Sequence, residues 1–89
     1  MRITEFPDNK VVFTTKSIAK GNAPIFYVSL DNDGDLQMFG EEEQDVNNAM
    51  LVSLEQMLEK DETLLQLPDF EKGVAYVREG KESEWKIFE

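Results

Sequence analysis

The chain has neither cysteine nor histidine in its 89 residues. Without cysteine there are no disulfides, thiolate zinc sites or thiol nucleophiles, and the uncrosslinked fold suits a reducing compartment, so a cytoplasmic protein is expected. Without histidine, the side chain that titrates nearest neutrality is missing, and catalytic triads and most metallohydrolase sites go with it. Carboxylates remain, as in glycoside hydrolysis, but a pair of them needs a cleft that a domain this small rarely supplies. The five glycines, Gly21, Gly34, Gly40, Gly73 and Gly80, are scattered as turn punctuation and form no phosphate cradle. From these gaps the expectation is a protein that is not an enzyme and carries no cofactor or metal, with a weak cation-binding module or a carboxylate enzyme as a distant third reading.

Positive charge is also scarce. Nine Lys and Arg stand against 19 Asp and Glu, a formal charge of −10, and no Lys or Arg occurs from Gly21 through Glu59. Phosphate binding is driven by cations that displace counterions, so nucleic acid and anionic membrane surfaces are poor matches and a basic protein is the expected partner. No apolar run approaches membrane-spanning length, and residues 1–8 lack the apolar stretch of a signal peptide. The length supports one core, hence a single domain over residues 1–89 with a thin stability margin. Phe6, Phe13, Phe26, Tyr27, Phe39, Phe70, Tyr76, Trp85 and Phe88 are the core candidates.

What is present reads as α+β. Lys10–Thr14 is a β-branched and aromatic strand, followed by a short helical turn capped by Thr14 or Thr15, with Gly21 placed as a left-handed terminator. Ile25–Leu30 is nearly continuous apolar sequence, as in a central strand with both faces covered, and Asp33-Gly34 marks a two-residue hairpin turn into Leu36–Phe39. Residues 41–48 read as an exposed connection, or as the beginning of a helix. Ser53 and Gln56 form a capping box, with Val52 and Met57 as its hydrophobic staple, and open the main helix. Gly73–Arg78 and Trp85–Phe88 complete an antiparallel or mixed sheet of four to five strands, with the one main helix on one face and the short turn near the N-terminus.

Three residue sets invite a functional reading. Asp31-Asn32-Asp33-Gly34-Asp35, with Glu42 at the twelfth position, has the spacing of a calcium loop, but Leu36 occupies the obligatory glycine position and a strand precedes it, so a polar hairpin tip is expected. Asp31, Asp33, Asp35, Glu41, Glu42, Glu43 and Asp45 form a stretch without a basic residue. It is either a solvated face or the partner-binding surface that steers a basic protein. Arg78 and Trp85 could make a cation–π or stacking contact on the sheet surface, while Trp85 is expected in the core.

Leu51-Val52-Ser53-Leu54-Glu55, Lys60-Asp61, Leu65, Pro68, Gly73-x-Ala75-x-x-Arg78 and Trp85 together resemble a family of small uncharacterised bacterial proteins. This domain-of-unknown-function family is grouped by genomic context with immunity proteins of polymorphic toxin systems. The resemblance spans roughly residues 25 to 85 and departs from the family at Leu36, where a Trp is expected. It implies a non-enzymatic α+β protein that neutralises a basic toxin by direct binding. The rival reading is a housekeeping or regulatory interaction domain without a toxin.

Overall fold

A computed structural model describes residues 2–21, 23–40, 46–80 and 82–88. The β-branched run forms strand β1 (Val11–Thr15), and the Thr15 hydroxyl accepts the Ile18 N–H to start helix α1 (Lys16–Ala19). Gly21 does not terminate α1 in a left-handed conformation, because positive φ occurs only at Gly34 and Gly73. Glycine is needed at 21 for space instead: a Cβ there would lie 2.5 Å from the Ser17 carbonyl oxygen.

Strands β2 (Tyr27–Leu30) and β3 (Leu36–Phe39) form the expected antiparallel hairpin, paired Leu30 to Leu36. That register makes the connection five residues long, Asp31 to Asp35, rather than two. The Asp31 carboxylate causes the lengthening. Its Oδ1 accepts the N–H of Asp33 and of Asp35, each at 2.9 Å, and so holds a wider loop closed by Gly34 at φ +89°.

Strand β4 (Ala49–Ser53) fills the stretch between the expected connection over 41–48 and the capping box, to which the sequence assigned no element. It pairs antiparallel with all of β1, because alternation places Met50 and Val52 toward the core. Helix α2 (Leu54–Lys60) then starts at the capping box: the Ser53 hydroxyl accepts the Gln56 N–H at 3.2 Å, and Gln56 Oε1 accepts the Ser53 N–H at 3.0 Å. A 3-10 turn over Glu62–Gln66 leads toward β5 (Val74–Val77) and β6 (Lys86–Ile87).

The sheet has six strands among the described residues, not four or five, in the order β4-β1-β3-β2-β5-β6. It is mixed: β1 runs parallel to β3, and every other pair is antiparallel. Its core side carries Val12, Leu36, Met38, Val28 and Tyr76, covered by Leu54 and Met57 of α2 and by Leu64, Leu67 and Phe70. Burying each large apolar side chain contributes roughly 1.5–3 kcal/mol of transfer free energy. Trp85 is buried as expected, whereas Phe13 and Phe88 are exposed, because pleat alternation sends them to the other side of the sheet. No helix among the described residues is long and apolar enough to cross a membrane.

Candidate functional site

The hairpin tip brings Asp31, Asp33 and Asp35 together, with one carboxylate oxygen from each within 4.8 Å of the others. Asp31 is committed to the loop backbone through Oδ1, which makes it a structural residue first. The tip is not isolated from cations, although its stretch of sequence is. Lys10 Nζ donates to the Gly34 carbonyl at 2.8 Å, and the end of the Lys72 stem faces Gly34. Glu41, Glu42, Glu43 and Asp45 lie outside the described residues. The residues flanking them, Gly40 and Val46, sit by Phe39 and Ala49, at the end of the sheet away from the tip.

The sheet face opposite the helices is open, so β2 is central but covered by other elements on one face rather than both. The registers set its side chains in rows. One row runs Leu51, Phe13, Gln37, Ser29 and Ala75, with Phe88 beside Ala75 through a backbone hydrogen bond; the next runs Phe39, Tyr27, Val77 and Lys86. Tyr27 touches Phe39 and Phe88, with ring centroids 6.2 and 5.9 Å apart. Phe13 is 38% exposed, Leu51 59% and Phe88 58%. Lys86 is the one charged side chain in these two rows. Parallel pairing of Val12 with Leu36 places the exposed Val11 beside Asp35, so the acidic tip borders this apolar face.

Behind the sheet lies a buried polar node in which Arg78 and Trp85, noted in the sequence as a candidate surface pair, meet Asp61 and Thr63, which the sequence did not reveal. Arg78 donates from one terminal nitrogen to Asp61 Oδ2 at 2.8 Å, from the other to Thr63 Oγ1 at 2.6 Å, and from Nε to the Ile25 carbonyl at 2.9 Å. Its guanidinium carbon lies 4.2 Å from the Trp85 ring centroid, so the cation–π contact is real and internal. Asp61 also accepts from the Thr63 N–H at 3.0 Å and from the Thr63 hydroxyl. Burial pushes the Asp61 carboxyl up, but donation from Thr63 and Arg78 outweighs it and holds the group below its ordinary value. The one clue in sequence was a lone Arg inside a strand, which needs a carboxylate from somewhere.

A neighbouring cavity of about 250 Å³ reaches Asp61 and Lys60, but Asp61 is held by Arg78, and Lys60 Nζ donates to the Gly21 carbonyl at 3.0 Å. Neither is positioned as a free acid or base. Compared with known proteins, the chain matches no family model, no curated protein and no solved structure.

Proposed function

We propose that this protein works by binding a basic protein partner on its open sheet face, without catalysing a reaction. The observation that carries this reading is the exposed Phe13–Leu51 cross-strand pair on a face nearly free of charge, bordered by the acidic tip. A monomer rarely leaves such a face bare without a use for it. The partner is basic because the chain carries −10, and complementary fields raise the encounter rate while like fields oppose self-association. Within this reading, an immunity-like role against a basic toxin rests on the resemblance of residues 25 to 85. A housekeeping interaction domain would use the same face for a different basic protein.

The test is capture from the host followed by binding kinetics at low and high salt. Phe13→Ser with Leu51→Ser should speed dissociation about tenfold or more, as expected for loss of an apolar anchor. Replacing Glu41, Glu42 and Glu43 with Gln should slow association and flatten its salt dependence, since peripheral charges act on the encounter. A captured protein that binds the serine variant as tightly as wild type would remove the open face from the mechanism.

A further inference from the structure

We infer that the partner docks by adding an extended, basic segment as a new strand along the outer edge of β4. This inference rests on the protein-binding reading above and specifies how the contact is made. The sheet has two edges, and they differ. β6 is two residues long and carries Lys86, both of which discourage pairing. β4 is Ala49-Met50-Leu51-Val52-Ser53, with no proline, no charge and no bulge in five consecutive pairs with β1. It lacks the devices by which proteins blunt an edge, and no strand among the described residues pairs with its outer side.

The hydrogen-bonding phase identifies which groups are offered. Leu54 N–H donates to the Lys10 carbonyl at 2.8 Å, in register with the β1–β4 ladder. Antiparallel alternation then turns the backbone of Val52 and Met50 toward β1 and that of Ala49, Leu51 and Ser53 outward. The Ser53 N–H confirms the phase by bonding to Gln56 instead of to a strand. Leu51 therefore presents an outward N–H and C=O together with an exposed side chain beside Phe13. An added strand can take both, with main-chain bonds supplying affinity and alternate side chains specificity.

Charge favours a basic occupant at the Ser53 end of the edge, while Lys20 and Lys60 lie on the core side of Met50 and Val52. Asp8 and Glu55, both exposed, stand at the Ser53 end of the edge, where the Glu55 N–H meets the Asp8 carbonyl at 3.0 Å. A segment with an apolar residue against Leu51 and Lys or Arg toward that end fits. A second copy would bring two bodies of −10 together.

The probe is a displayed library of random linear peptides selected on the intact protein, with amide exchange measured on the best binder. Enriched basic peptides free of central proline should protect the Ala49 and Leu51 amides. They should bind Leu51→Pro at least about tenfold more weakly. Leu51→Lys, which keeps the backbone and repels a basic strand, should weaken them similarly and guards against misfolding of the proline variant. Peptides that lose affinity to Phe13→Ser but not to either Leu51 variant would overturn strand addition while leaving the open face as the site. No enrichment over a blank surface would overturn it too, as would a concentration-dependent dimer that Leu51→Lys dissociates.

Discussion

Asp61 shows how much one side chain can decide in a domain this small. It ends α2, begins the following 3-10 turn and neutralises the buried Arg78. Asp61→Ala strands a buried guanidinium and should cost about 3–5 kcal/mol in urea unfolding. Because the folded carboxyl titrates below its unfolded value, near 3.9, its contribution is present above that pH and lost as pH falls through the folded value. Wild type should therefore lose stability more steeply than Asp61→Asn below about pH 4. Thr14 offers the opposite case. Its hydroxyl is buried on the core side of β1 without a hydrogen-bond partner, so Thr14→Val should stabilise by about 1 kcal/mol. A loss of stability in the same unfolding assay would mean that the hydroxyl is bonded after all.

At the level of elements, local chemistry was legible and distant pairing was not. The Ser53–Gln56 capping box and the Thr15 cap are short-range signals that appear where the residues put them, and Gly34 takes its positive φ although the connection around it is longer than two residues. β4 was missed because its residues follow an acidic, Asn-rich run and adjoin a strong helix start, and only pairing with β1 makes them a strand. The parallel contact of β1 with β3, and the meeting of Asp61 with Arg78, are likewise products of topology. Of the candidate site, the carboxylates of the tip were legible as a cluster. Lys10 and Lys72 beside it were not, since they approach from other strands and loops. Asp31 should matter to the hairpin for its two backbone bonds. Asp31→Ala should destabilise by about 1–2 kcal/mol, whereas Asp33→Ala, whose side chain is exposed, should stay within about 0.5 kcal/mol. Thermal unfolding of the two variants side by side separates a structural role from mere charge.

For the whole molecule, a charge of −10 on a body of 29 × 27 × 23 Å implies self-repulsion that salt relieves. Raising ionic strength from 0.01 M to 1 M shortens the screening length from about 30 Å to about 3 Å, so the melting temperature should climb by a few degrees in sodium chloride. A flat response would show that local compensation, such as the Lys10 ammonium held at the Gly34 carbonyl near the acidic tip, already offsets the excess. The placement of β1 has a kinetic side as well. The first strand made is flanked by two that come later: Val12 lies between Leu36 and Val52, so its half of the sheet cannot close until the chain beyond Ser53 has emerged. Closure over such spans is entropically slow, and it favours folding of the sheet as a unit over folding piece by piece. Until then the apolar strand β1 lacks its β4 partner and leaves one edge bare.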